Sequence, residues 1–156
     1  MVAARKGFDW PAALSLGKAL AGLTAQSKGR RLGIYGPPKE GEGRQLKKVG
    51  LGEEFWVEVC GRSIPAKKTK DGVRAVAGAD PIEPAPVEAY LRSKFGEHLS
   101  AVREAMEKVA ASYTSVGLTD QAFSLYEVFR PKIPSGKRGW GHKGELDIDL
   151  IHSLAR

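Results

Sequence analysis

Glycine and proline cluster between residues 29 and 86 of this chain. Both residues weaken the interior of a helix, and proline also lacks the N–H that a central strand needs. This segment is therefore predicted to consist of short strands joined by turns. Residues 32–35 form an apolar run that stops at Gly36 and two prolines, and we interpret this run as one of the strands.

Two stronger β signals follow in the same segment. Phe55, Val57 and Val59 alternate with residues of the opposite face, which is the period of two of a half-buried strand. Asp71 and Gly72 are suited to the positive dihedral angles of a tight hairpin turn. The strands on either side of that turn cover residues 64–70 and 73–77. The middle of the chain is thus predicted to be a small antiparallel β unit.

Helical patterns lie on both sides of this unit. Asp9, Trp10 and Pro11 are typical of a helix start, and apolar residues recur at helical spacing as far as residue 23. We expect this helix to end before the polar segment 26–31. The chain is therefore predicted to have an α+β fold, in which the β unit is preceded by a helix and followed by a C-terminal helical lobe.

Residues 80–86 contain three prolines and are predicted to form a linker. It separates a basic, β-rich lobe over residues 1–80 from a helical lobe over residues 86–156, unless the two pack as one domain. Helices are predicted at 87–95, at 100–113 with Ser100 as cap, at 118–129 after a turn at 115–117, and after the cap Asp147. The apolar residues of the third of these helices are Leu118, Ala122, Phe123, Leu125, Tyr126 and Phe129, and most of it is expected to be buried.

The charge of the chain is concentrated in its first half. Residues 1–80 hold 15 Lys and Arg against 8 Asp and Glu, whereas residues 81–156 hold 10 of each, so the whole net charge of +7 belongs to the first half. Clustered cations attract polyanions because binding to phosphates releases condensed counterions. Nucleic-acid binding is therefore the leading hypothesis, and the alternative is a merely solvated basic face.

The residues expected to contact nucleic acid, DNA or RNA, are mostly Lys and Arg. They are Lys28, Arg30, Arg31, Arg44, Lys47, Lys48, Lys67, Lys68, Lys70, Lys137, Arg138, Trp140 and Lys143. The last four lie in a glycine-rich loop, where the Trp140 ring could stack on a base while the cations neutralise phosphates. The alternative interpretation is that Trp140 anchors the loop onto the helical lobe.

Three segments, 27–30, 38–40 and 49–59, together resemble the swapped-hairpin AbrB-type transcription regulators. In that family a strand, a Pro-Lys-Glu-like turn, a leucine-glycine pair and an acidic valine-rich strand make half of a dimeric DNA-binding barrel. The resemblance covers about thirty residues of this chain. It implies that Lys28, Arg30, Arg31 and Arg44 face phosphates or base edges.

Patterns typical of enzymes are weak in this sequence. The glycines from Gly36 to Gly43 match a phosphate-binding loop only in part, because Glu42 stands where a lysine is needed. The three histidines show no spacing typical of a nucleophile or metal site. The helices around Gly117 have the outline of a helix-turn-helix but offer few groove-reading side chains. We therefore expect no catalytic residues, no metal and no cofactor, and an enzyme only if distant residues converge.

The single cysteine, Cys60, cannot form an intramolecular disulfide, which favours a reducing compartment and a cytoplasmic protein. Asp9, Pro11 and Lys18 interrupt the first apolar stretch, so we expect neither a secretory signal nor a membrane association. The second functional hypothesis is an interaction or accessory subunit, in which the first helix or Trp56 docks a partner or a second copy in a homodimer.

Overall fold

The computed structural model describes residues 1–31, 52–130 and 146–155, with the side chains of the first range described as far as Thr24. The chain divides into two compact units. The sheet unit is Phe8–Pro84, and the helical unit is Met1–Gly7 together with Ala85–Arg156. The predicted α+β fold is confirmed, since one long helix precedes a four-stranded antiparallel sheet and further helices follow it.

The sheet unit begins with helix α2 (Trp10–Arg31), whose predicted start is confirmed. The Asp9 carboxylate accepts a hydrogen bond from the Ala12 N–H at 2.9 Å, so it acts as the helix cap. Pro11 is tolerated because N–H groups of the first turn have no partner inside the helix. The predicted end before residue 26 is wrong: residues 26–31 contain no proline, and Gln, Lys and Arg are good helix formers.

The sheet contains β1 (Glu54–Val59), β2 (Arg62–Thr69), β3 (Gly72–Ala77) and β4 (Asp80–Pro81), in that order. Val57 of β1 lies opposite Ile64 of β2, and both are buried. The predicted alternation in β1 is confirmed. Between β1 and β2, Cys60 and Gly61 take φ angles of 51° and 70°, as a two-residue hairpin turn with the twist of the sheet requires.

The predicted β2–β3 hairpin is also confirmed, with its turn one residue earlier, at Lys70 and Asp71. Gly72 begins β3 with a φ of 106°, where a side chain would be strained. The Arg74 guanidinium is buried and donates to the carbonyl oxygens of Val73 and Asp71, at 2.8 and 2.9 Å. The arginine thereby holds the turn against the body of the sheet unit.

Helix α2 packs on β3 and β2, and residues 12–16 are buried on every side. Ser15 is completely buried, and its hydroxyl accepts a hydrogen bond from the Ala75 N–H at 3.0 Å while donating to the Ala12 carbonyl at 2.8 Å. The helix thus satisfies a strand N–H that the short β4 does not reach. After Leu16 the burial stops, since no residue from 17 to 24 is buried.

The predicted linker at 80–86 contains the boundary between the two units, but both of its ends have secondary structure. Asp80 and Pro81 pair with Ala77 and Val76 as strand β4, and the Ile82 N–H donates to the Ala75 carbonyl at 2.7 Å. Helix α3 begins at Pro84. Prolines are compatible with both places, because β4 lies at the end of the strand order and the first helical turn needs no N–H partners.

The helical unit consists of helices and a 3₁₀ turn. They are α1 (Val2–Arg5), α3 (Pro84–Phe95), a 3₁₀ turn (Gly96–His98), α4 (Leu99–Ala111), α5 (Ser115–Phe129) and α6 (Ile148–Ser153). The core contains Ala105, Val109 and Ile151, surrounded by partly buried apolar residues such as Leu125 and Phe129. Arg5 of α1 donates to the Tyr113 carbonyl at 2.8 Å and so connects the first helix to this unit.

Helix boundaries in this unit follow their caps. The Asp147 carboxylate accepts from the Leu150 N–H at 2.9 Å, which confirms the predicted cap of α6. Ser100 is not a cap, because α4 begins one residue before it, with His98 at the cap position. The turn predicted at 115–117 is the first turn of α5, since the Thr114 hydroxyl accepts from the Gly117 N–H at 3.0 Å.

The strand predicted at 32–35 and the glycine pattern from Gly36 to Gly43 lie outside the described residues. Among the residues that the structure does describe, no helix is both long enough and apolar enough to cross a membrane.

Candidate nucleic-acid interface

The described side chains include three of the predicted nucleic-acid contacts, Lys67, Lys68 and Lys70. Lys28, Arg30 and Arg31 lie on the backbone of α2 beyond its described side chains. Outside the described residues are Arg44, Lys47, Lys48, Lys137, Arg138, Trp140 and Lys143. The local geometry of the interface is therefore that of the β2–β3 hairpin and the visible part of α2.

Lys67 already has partners inside the sheet unit. Its ammonium lies 3.3 Å from the carboxylate of Glu54, directly opposite on β1, and donates to the Ala79 carbonyl at 3.0 Å. A side chain held by two acceptors must give up both before it can contact a phosphate. The register of β1 and β2 thus directs this cation toward the sheet itself.

Lys68 and Lys70 differ from Lys67 in both direction and environment. Because successive strand residues point to opposite faces, Lys68 lies on the face opposite Lys67. Lys70 stands in the turn that follows. Both side chains are exposed, and neither has a carboxylate within ion-pair distance among the described residues. These two neighbouring cations are accordingly available to an external anion.

Sequence reasoning missed two further cations of the same kind. Lys18 on α2 and Arg62 at the start of β2 are exposed, and within the described ranges neither has an ion-pair partner. Arg62 and Lys68 share a face of β2 but stand about 20 Å apart along the strand. The sequence signal that indicates an unpaired Lys18 is that α2 contains no Asp or Glu. No acid therefore lies three or four residues from Lys18 to pair with it.

Four cations of the helical unit, in contrast, are paired with glutamates close to them in the sequence. Arg92, Arg103, Lys108 and Arg130 each lie within 3.2 Å of a glutamate three or four residues away, namely Glu88, Glu107, Glu104 and Glu127. The hydrogen bond from Lys108, and then its charge, lower the pKa of Glu104, with a smaller contribution from His152. These cations are neutralised locally.

The exposed large apolar residues that the structure describes lie in the helical unit, whereas the exposed cations Lys68 and Lys70 lie in the sheet unit. Among the described residues, the large hydrophobic side chains with the greatest exposure all belong to the helical unit, and they are Tyr90, Val116, Phe123, Val128 and Leu150. The sequence placed a docking surface on the first helix or Trp56. The first turns of α2 are instead buried, and Trp56 is half-buried opposite Pro65. The expectation that most of α5 is buried is wrong, since, of the residues described in this helix, Leu118 alone is buried and 46% of Phe123 is exposed.

In the described part of the chain, no three His, Cys, Asp or Glu side chains are grouped so that they could hold a metal ion. No protein-family model, no curated protein and no solved structure matches the chain. Residues 27–30, which the AbrB resemblance would place in a strand, lie in α2. The resemblance therefore contributes nothing to the interpretation of the interface.

Proposed function

We propose that the sheet unit binds nucleic acid through cations that have no carboxylate partner inside the molecule. The proposal is carried by the contrast between Lys68 and Lys70, which are exposed without an ion-pair partner among the described residues, and the locally paired cations of the helical unit. A cation that is not neutralised internally can neutralise a phosphate and so release a counterion condensed on the nucleic acid.

Helix α2 adds to this surface. Its 22 residues contain four Lys and Arg and no acid, and from residue 17 to 24 none is buried. Lys18 is exposed on this helix, and Lys28, Arg30 and Arg31 belong to it by sequence. Because Lys28, Arg30 and Arg31 lie near the C-terminal end of α2, they also stabilise the helix through its macrodipole.

Lys67 is left out of the proposed surface because it is paired with Glu54. The cations Arg44, Lys47 and Lys48 of the sheet unit remain part of the proposal on sequence grounds alone. On the same grounds so do Lys137, Arg138 and Lys143, with Trp140, which belong to the helical unit. The contacts expected are with phosphates, so the proposed function is binding with little sequence preference.

The proposal is tested by fluorescence anisotropy with labelled duplex DNA and single-stranded RNA over a series of salt concentrations. Binding should weaken steeply with salt, and Lys68→Gln with Lys70→Gln should reduce the slope of log K against log salt by about two on duplex DNA. The matched control is Glu54→Gln with Lys67→Gln, which removes a neighbouring lysine without changing the net charge and should leave the slope unaltered. No binding at low salt, or equal slopes in both double variants, would contradict the proposal.

A further inference from the structure

Helix α5 of the helical unit has an apolar, acidic face that points away from its own core. Leu118, Leu125 and Phe129 turn toward the unit's interior. At about 100° per residue, Val116, Asp120, Phe123 and Glu127 fall within an arc of about 60° on the opposite side of the helix. We call these four residues the outer stripe of α5.

The apolar members of the outer stripe are exposed to solvent and are not packed in the core of the helical unit. Val116 is 72% exposed and Phe123 46%, and they stand seven residues apart, two turns along one face. Large apolar side chains at this spacing are typical of a helix that packs against another helix. In a water-facing position they contribute little to the stability of the unit, because little of their apolar area is removed from water.

The charged members of the stripe determine what kind of helix fits. Asp120 and Glu127 follow the apolar residues four positions later, and α5 itself contains no Lys or Arg. Asp120 has no ion-pair partner among the described residues, whereas Glu127 lies 3.2 Å from Arg130. Acids beside an apolar seam attract cations at the flanking positions of a partner helix, and they repel phosphates.

We infer that the outer stripe of α5 docks a basic amphipathic helix of another protein. Its apolar residues would cover Val116 and Phe123, and its Lys or Arg would face Asp120 and Glu127. A second copy of α5 fits poorly, because antiparallel packing about Phe123 sets Asp120 against Glu127 of that copy, which are like charges. The inference concerns the helical unit only and does not depend on nucleic-acid binding by the sheet unit.

The probe is a synthetic amphipathic helical peptide about as long as α5, with leucines at heptad spacing and lysines beside them. A second peptide carries glutamates in place of the lysines. Both are titrated into the full chain by isothermal calorimetry. The lysine peptide should bind, more weakly at high salt, and the glutamate peptide should not.

Substitutions locate the binding on the chain. Val116→Ser with Phe123→Ser should weaken binding by at least about tenfold, as expected for interface anchors. Val128→Ser is the matched control, because this valine is 53% exposed on the same helix but lies outside the stripe. Asp120→Lys should also weaken binding, and since Asp120 is exposed this variant tests the stripe even if the serine variant loses helix by circular dichroism.

Three results would overturn the inference. The first is equal affinity for the two peptides or no binding of either. The second is unchanged affinity in both the serine and the Asp120→Lys variants. The third is self-association of the chain alone, measured by sedimentation and abolished by Val116→Ser with Phe123→Ser, which would assign the stripe to a second copy.

Discussion

The two units of this protein differ in how their surface cations are paired and in how far their large apolar residues are exposed. In the helical unit, cations such as Arg103 and Lys108 are paired with glutamates of the same helix, and exposed apolar residues remain on α5. In the sheet unit, the large apolar residues whose side chains the structure describes are buried or half-buried, and cations such as Lys68 and Lys70 have no described ion-pair partner. In their described parts, the helical unit thus presents exposed apolar side chains and several locally paired cations, and the sheet unit presents cations that have no carboxylate beside them.

The difference has a simple local cause. A helix brings residues three and four positions apart together, so a glutamate at that spacing neutralises a cation wherever the sequence supplies one. Strands and α2 lack such pairs, except where the register of β1 and β2 sets Glu54 opposite Lys67. A count of Lys and Arg along the sequence therefore overestimates the cations available to an external anion wherever such helical pairs form.

The largest expected effect separates the cores of the two units. Ile64 in the sheet unit and Ile151 in the helical unit are both completely buried. Each substitution to alanine should cost about 2–5 kcal/mol in the stability of its own unit, because the lost side chain leaves a cavity. Hydrogen exchange measured peptide by peptide should show faster exchange in β1–β3 for Ile64→Ala and in α4 and α6 for Ile151→Ala. If both variants accelerate exchange equally across the chain, the two units unfold as one.

The next effect concerns the polar contact inside the sheet unit. Ser15→Ala removes the acceptor of the Ala75 N–H and should cost about 1–3 kcal/mol, since this donor is left buried without a partner. Ser153 of α6 is the matched control, because its hydroxyl also donates to a carbonyl three residues earlier, that of Leu150, but is exposed. Urea denaturation should find Ser153→Ala nearly neutral. Equal costs in the two variants would show that the Ser15 contact is not specific.

Local signals in the sequence were enough for much of this fold. The helix start at Asp9 to Pro11, the alternation of β1 and the cap Asp147 were each predicted correctly, because the residues that make these features lie within a few positions of one another. The element boundaries that were predicted wrongly were those at which the local sequence signal was weak and the surrounding structure outweighed it. Pro84 was interpreted as part of a linker although proline is acceptable in a first helical turn.

The candidate surfaces were harder to predict because they depend on residues distant in the sequence. The pairing of Lys67 with Glu54 requires the register of two strands, and the contact of Ser15 with Ala75 joins residues sixty positions apart. Phe123 was expected in the core because its neighbours Ala122 and Leu125 are apolar. The helical period nevertheless places Phe123 on the solvent side of α5, because the side that faces the core is centred on Leu125 and Phe129.

A smaller effect compares the helix caps of the two units. Asp147→Ala and Asp9→Ala each remove a carboxylate that accepts a backbone N–H at 2.9 Å, and each should cost about 1 kcal/mol. Asparagine at either position should restore most of the stability, because it is an equally good cap. Thermal unfolding monitored by circular dichroism measures both. A loss at only one of the two sites would show that the caps are not equivalent in the two units.

The smallest effect tests whether the local charge pairing of the helical unit contributes to its stability at all. Since Lys108 lowers the pKa of Glu104 in the folded chain, the unfolded chain takes up a proton on this group first as the solution is acidified. The contribution is therefore present above the ordinary glutamate pKa and is lost as the pH falls through the lower, folded-state pKa. Glu104→Gln should remove this acid-side loss, and so should Lys108→Gln, while the double variant should add nothing further. Denaturation curves across the acidic range measure the coupling between the two residues. Because both side chains are exposed, salt should reduce the coupling between them. A coupling of zero at low salt would mean that the pairing neutralises the lysine without stabilising the helix.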